Sequence, residues 1–399
     1  MRMKFNKMSQ LLLVSAASLL AAGLMTACGT DTVDFVYVAS SQAAGTNNYG
    51  EIDIFEINSV SGFMRQIPTS PFPSGGRNPV AEAVSSDNTN LYVVNHDDNS
   101  IVQFVIGSDG KLYPQNTVNT PGIFPVAVAV NGSNLFVADT YQPLPQCSSA
   151  APCSGSVAVL PIGTSDQLGT AVANGNLNYW PLSLPSSPKD ILLPTGVSVL
   201  ASGADLYVSA YDTTANTGYV FGFAVGSGGA LTPLNGGVPF PAGTNPSSIT
   251  SDATGSYVYV TDYTQGKVWG YSVASASGDL APLSGSPFAA GDEPMAMVVD
   301  PSGKYAYVAN SLDSNLTAYT VSGGALTFLG TYATGTQPVA IGIDPSAKHF
   351  LYTANFLGST VTGFELSSVD GTLLNSQFSP YTANAQPTAV AAIPHGSKK

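Results

Sequence analysis

The chain has 399 residues, with 12 basic and 25 acidic side chains, a net charge of −13, and only 9% of its residues charged. That balance argues against nucleic acid or an anionic bilayer as a main partner, because both call for a basic face. Solubility rests instead on Ser, Thr, Asn and Gly, which suits a protein of the cell envelope.

Residues 1–27 place Arg2, Lys4 and Lys7 ahead of an apolar stretch at 11–24 and end in Met25-Thr26-Ala27. A basic start, a short apolar core and small residues before a cleavage point predict a secretory signal peptide. An uncleaved anchor is the alternative, but the apolar core falls short of the roughly 20 residues of a membrane span. Cys28 directly follows Ala27 and resembles the lipidated cysteine of bacterial lipoproteins, with Met25 standing where Leu is usual. We therefore expect a lipid on Cys28 and a short tether over 28–34. Gly29 in second place points to the outer membrane where the cell has one. Removing residues 1–27 leaves nine basic against 25 acidic residues, a net charge near −16.

From residue 35 to 394 a single unit recurs, most clearly at 291–332. An apolar run at 295–299 is followed by Asp300-Pro301-Ser302-Gly303, whose order fits a type I turn. A second strand rich in aromatic and β-branched residues occupies 305–310. A turn, a third strand at 316–321, Ser322-Gly323-Gly324 and a fourth strand at 326–332 complete the unit. Meanders of about 45 residues that cannot bury both faces alone mark the blades of a β-propeller.

The second-strand motif appears seven times, beginning at Tyr37, Tyr92, Phe136, Tyr207, Tyr259, Tyr307 and Tyr352. A Pro-led first strand also appears seven times, at Pro79, Pro125, Pro194, Pro246, Pro294, Pro338 and Pro387. The two series are offset by one. The first blade lacks its Pro-led strand, and the last Pro-led strand, 388–393, has no blade after it. The predicted fold is therefore all-β: a seven-bladed propeller of four-stranded blades, closed by 388–393 pairing with the N-terminal blade. Closure removes the open edge of a linear array.

Blade 1 begins at Phe35 and blade 2 at Arg77. In the third place after the proline, six first strands carry Val128, Val197, Ile249, Met297, Ile341 and Val390, whereas blade 2 carries Glu82. A carboxyl packed between blades is costly unless it is paired or protonated. A structural role, with Glu82 bonded to backbone, water or Arg77, stands beside a catalytic one as general acid or base. Blade 3 is interrupted at 141–155, where Cys147 and Cys153 are expected to form a disulfide in an oxidising compartment. A second insertion at 169–190 carries Trp180 and several prolines and is expected to decorate the outer edge. Blades 4 to 7 are regular, and 395–399 form a solvated tail.

The string Pro301-Ser302-Gly303-Lys304-Tyr305-Ala306-Tyr307-Val308-Ala309-Asn310 resembles the most characteristic segment of the seven-bladed lactonases and the related YVTN-repeat propellers, and the resemblance spans about 35–393. It implies the propeller fold. Lactonase members usually carry Pro-Arg-His before this string and Asn-Glu-Leu after it. Here those places read Pro294-Met295-Ala296 and Asn310-Ser311-Leu312, so the Arg, His and Glu are absent. The mature chain has only Arg65 and Arg77 as arginines, and a sugar-phosphate substrate would call for more cationic groups. No G-x-S-x-G nucleophile elbow is present.

The loops before the first strands and after the second strands emerge at one end of the ring. They bring Arg77, Asp292 and Glu293 towards His96, Asp97, Asp139, Asp262 and Asn310, the candidate ligand-binding set. No cofactor is required, although such oxygen-rich loops could hold Ca²⁺. The expected protein is a lipid-anchored envelope propeller acting as a binding module for a small molecule, a glycan or an envelope protein. It would touch the membrane through the Cys28 lipid alone and would not bind nucleic acid. The alternative is a divergent lactone hydrolase that uses Glu82 or a cation-activated water.

Overall fold

Why the second strands read as unbroken apolar runs is explained by what covers them. In a computed structural model that describes residues 32–394, apart from 45–46, 164–165 and 346–349, each second strand lies between two neighbouring blades. Asn90–Asn95, Tyr305–Asn310 and Phe350–Asn355 are buried at every position, so both faces need apolar or paired side chains. Outer strands such as Leu112–Asn119 are half exposed and accordingly polar. The predicted signal peptide, Cys28 and the tail at 395–399 lie outside the described residues.

Seven antiparallel sheets form the ring. Blade 6 runs Pro294–Val299, Tyr305–Asn310, Asn315–Ser322 and Ala325–Ala333, in that order from the axis outwards. Blades 1, 4, 5 and 7 split the outer strand into two short pieces that pair with the same third strand. The closing strand, Pro387–Pro394, pairs antiparallel with Thr32–Ala44 in the register Phe35↔Ile393, Tyr37↔Ala391 and Val38↔Val390. Both the fold class and the predicted closure are therefore observed. Among the described residues the only helical segments are two short 3-10 turns, Ser227–Gly229 and Asn235–Gly237.

In four of the seven blades the recurrent tyrosine ties the blade to the next. The phenols of Tyr37, Tyr207, Tyr259 and Tyr307 donate to the carbonyl oxygens of Gly110, Gly278, Gly324 and Gly371, at 3.0, 2.6, 2.8 and 2.7 Å. Each glycine lies in the turn between the third and outer strands of the following blade and has positive φ, between 71° and 81°. The third residue after each proline packs into the same seam. Ile249 clusters with Tyr207, Met297 with Tyr259 and Val390 with Tyr352.

The insertions occupy different faces. Trp180–Pro181, within 169–190, pairs with Ser156–Pro161 as the outer strand of blade 3. Trp180 Nε1 donates to Leu231 O of blade 4 at 2.9 Å. This segment decorates the outer edge, as expected. The insertion at 142–155 rises from the mouth of the ring and is closed by the Cys147–Cys153 disulfide.

Candidate functional site

The mouth is built by one device used in most blades. In four blades the backbone N–H that follows the second strand donates to the carbonyl of the residue just before the proline of that blade's own inner strand. His96 donates to Asn78, Tyr263 to Asn245, Ser311 to Glu293 and Phe356 to Gln337, at 2.8 to 2.9 Å. Register then slips by one residue after the proline, as between Pro79↔Asn95 and Ala81↔Val94. Five of the residues before these prolines hold the left-handed conformation: Asn78, Phe124, Glu293, Gln337 and Gln386, with φ from 54° to 61°. For Phe124, a bulky side chain, this is a strained geometry of the kind that gathers at functional sites.

Between blades 2 and 3 these turns assemble a polar and aromatic cluster. His96 Nδ1 lies 2.6 Å from Asp97 Oδ1, and Asn78 Nδ2 donates to the same oxygen at 3.1 Å. Burial draws the Asp97 carboxyl upwards, but hydrogen bonds from His96 and Asn78 and the charges of His96 and Arg77 outweigh it and hold the group below its usual value. Phe124 stacks face to face on His96, with ring centroids 4.7 Å apart and planes 6° apart. Tyr141 meets Phe124 edge-on at 6.1 Å. Arg77 Nε and its backbone N–H each donate to Asp98 at 2.7 Å, so its charge is already matched. The hydrogen bond and charge of Asp98 raise the guanidinium above its ordinary value.

Other predicted residues are placed differently. Asp139, Asp262 and Asn310, at the ends of their second strands, are fully buried and clamp the loop that leads into their own blade's inner strand. Asp262 accepts the N–H groups of Thr244 and Asn245 at 2.7 and 3.2 Å. Asn310 accepts from Gly291 at 3.1 Å. Asp139 accepts from Gly122 at 3.2 Å, and burial pushes it up to about 7 against the pull of Thr120 and Gly122. Asp292 is exposed, and its N–H donates to Asp313 at 2.9 Å. Glu293 faces Tyr263, whose phenol is raised by their hydrogen bond.

Glu82 sits three residues below the mouth, about 10 Å along the strand. It borders an axial cavity of about 490 Å³ whose walls include Val126, Ser247, Met295, Val339 and Thr388. Its carboxyl oxygens are shut off from solvent, and among the described residues none makes a well-formed hydrogen bond. Burial drives this carboxyl well above its usual range, and the nearby backbone of Ala391 offsets only part of that. Among the described residues no three His, Cys, Asp or Glu side chains converge as metal ligands would.

Phe124 is absent from the sequence-derived set, although its position before Pro125, in the register of Asn78 and Glu293, was a usable signal. Chemically, the cluster offers a stacking face, amide and carboxylate groups, and a His–Asp pair suited to moving a proton.

The family described as lactonase, 7-bladed β-propeller, matches residues 280–391. Among curated proteins none matches the sequence. Among solved structures, one from Bacteroides fragilis, provisionally described as a 6-phosphogluconolactonase, is similar at 21% identity with a TM-score of 0.71, over 91% of this chain and 99% of that one. The periplasmic gluconolactonase PpgL of Pseudomonas aeruginosa is similar at 19% identity and a TM-score of 0.71, over 90% and 99%. At these identities the structures establish the fold. The resemblance to the lactonase propellers is borne out, by the family match over blades 5 to 7 and by the fold over the whole ring.

Proposed function

We propose that this chain is a lipid-anchored envelope propeller that binds a small, uncharged, hydroxyl-rich ligand at its mouth. The observation that carries this is the aromatic wall of His96, Phe124 and Tyr141 standing beside Asn78 and Asp97. A sugar-like ring presents an apolar face to stack and hydroxyls to hydrogen-bond, and this cluster offers both. An anionic ligand suits it less, because Arg77 is already held by Asp98 and the mature chain is strongly acidic. Calorimetric titration of the full chain with neutral sugars and aldonolactones tests this. Binding that weakens at least tenfold in Phe124→Ala supports it, and equal affinity in that variant would sink it.

A second function, lactone hydrolysis, is favoured by the lactonase family match. Glu82 would be its acid or base, or the His96–Asp97 pair would activate water at the mouth. Turnover measured beside Glu82→Gln and His96→Gln separates these, and no turnover with any lactone leaves the binding function alone. The lipid on Cys28 is tested by metabolic palmitate labelling, which should vanish in Cys28→Ala.

A further inference from the structure

Apolar exposure is concentrated on one flank of the disc. Every large apolar side chain more than 60% exposed among the described residues belongs to blade 6, 7 or 1. Val60, Phe328, Val369, Leu374 and Phe378 lie on outer strands, in the turns leading into them, or in the loop that follows. The other two, Leu312 and Leu357, sit in mouth turns of blades 6 and 7. Equivalent turns elsewhere are polar: where blades 1 and 7 have Val60 and Val369, blade 2 has Ser108-Asp109 and blade 4 has Ser227-Gly228. Where blade 7 exposes Leu374 on its outer strand, blades 4 and 5 carry Thr232 and Ala281.

Phe378 sharpens the case. It is 74% exposed and holds a left-handed φ of 67°, in the place where blade 5 has Gly285 at 85°. Glycine takes that conformation without strain, and a bulky aromatic does not. Among the described residues its aromatic contact is an edge-on one with Phe63 at 5.8 Å. Turn 58–63 of blade 1 is joined to the same place by the Gln377 N–H, which donates to Ser61 O at 3.1 Å.

The chain also enters the propeller on this flank. Thr32 pairs with Asn58, whose side chain accepts the N–H of Val60 at 2.9 Å. Only four residue steps separate Cys28 from Thr32, at most about 14 Å of extended chain.

We infer that the apolar flank formed by blades 6, 7 and 1 rests on the lipid bilayer surface, holding the propeller edge-on to the membrane. This rests on the proposed lipid at Cys28 and adds a protein contact to it. Charge does not draw the acidic chain there. The lipid brings the flank within reach, and apolar side chains supply the contact. The mouth then opens sideways into the compartment, accessible to soluble ligands.

The test uses the full lipidated chain in vesicles of phosphatidylethanolamine and phosphatidylglycerol with brominated acyl chains, which quench nearby indoles. The native Trp180 and Trp269, on blades 3 and 5, should stay bright. The indole added by Val369→Trp should be quenched at least twofold, at high salt as well as low. Adding Phe378→Gly and Val60→Ser should abolish that quenching while leaving the melting temperature equal or higher. A protein that floats with the vesicles but shows no quenching at 369 would overturn the docking and leave the lipid anchor standing. A dimer captured by crosslinking through this flank, without quenching, would overturn it in favour of a second copy. Failure to float together with loss of palmitate labelling would remove anchor and docking together.

Discussion

Replacing Glu82 with methionine should make this protein more stable. Methionine is close to glutamate in length, and Met297 already fills the equivalent place in blade 6. The Glu82 carboxyl is buried with no well-formed hydrogen bond, and the Ala391 backbone nearby satisfies it only in part. Leaving such a group unsatisfied costs about 1–3 kcal/mol even when neutral, so Glu82→Met should gain about 2 kcal/mol at pH 5. In a chain of this size that corresponds to a rise of roughly 2–4 °C in melting temperature. The pH dependence follows from linkage. The folded carboxyl titrates well above its unfolded value, so the folded state binds the extra proton. Its contribution is fully present below about pH 4.3 and is lost as the pH rises towards the folded value, by up to about 1.4 kcal/mol for each pH unit crossed. The gain from Glu82→Met should therefore be larger at pH 8 than at pH 5. Asp34, Asp139 and Asp53, raised mainly by burial to about 9, 7 and 6, act in the same direction and remain in the variant. Thermal and urea unfolding at pH 5 and 8 supply the measurement. A variant that is less stable than the parent at both pH values, or one with an unchanged gain between them, refutes the reasoning.

Tyr307→Phe removes the tie to Gly371 O and should cost about 1 kcal/mol, seen in urea unfolding, because a single net hydrogen bond is lost. Phe136 shows that the ring itself is tolerated at that place. Cys147→Ser opens a small covalent loop and should cost about 2 kcal/mol on the chain-entropy estimate, with limited proteolysis newly cutting within 142–155. A chain ending at residue 386 lacks the closing strand and should expose Thr32–Ala44 as a free edge. Size-exclusion chromatography should then show aggregation where the full chain elutes as a defined species.

The ring was legible because its signals are local and repeated. The proline, the aromatic second strand and the turn glycine recur in fixed order, and the offset between two seven-member series leaves closure as the economical outcome. Glu82 was legible as an anomaly because six equivalent positions are apolar. The mouth was harder to read. Asp139, Asp262 and Asn310 look like ligand groups in a list of polar residues, yet their pairing with the start of their own blade's inner strand makes them clamps for the loop N–H groups before it. Phe124 looks like an ordinary apolar residue, and only the left-handed backbone shared with Asn78 and Glu293 sets it against His96. The apolar flank escaped notice because its members are scattered from residue 60 to 378, and only ring closure brings blade 7 beside blade 1.

The most direct test of the account is a crystal structure of the chain soaked with a neutral aldonolactone. The expected result is density against the outer surface of the His96–Phe124 stack at the mouth, with hydroxyls bonded to Asn78 or Asp97. Density confined to the axial cavity beside Glu82, with the mouth between blades 2 and 3 bare, would contradict it.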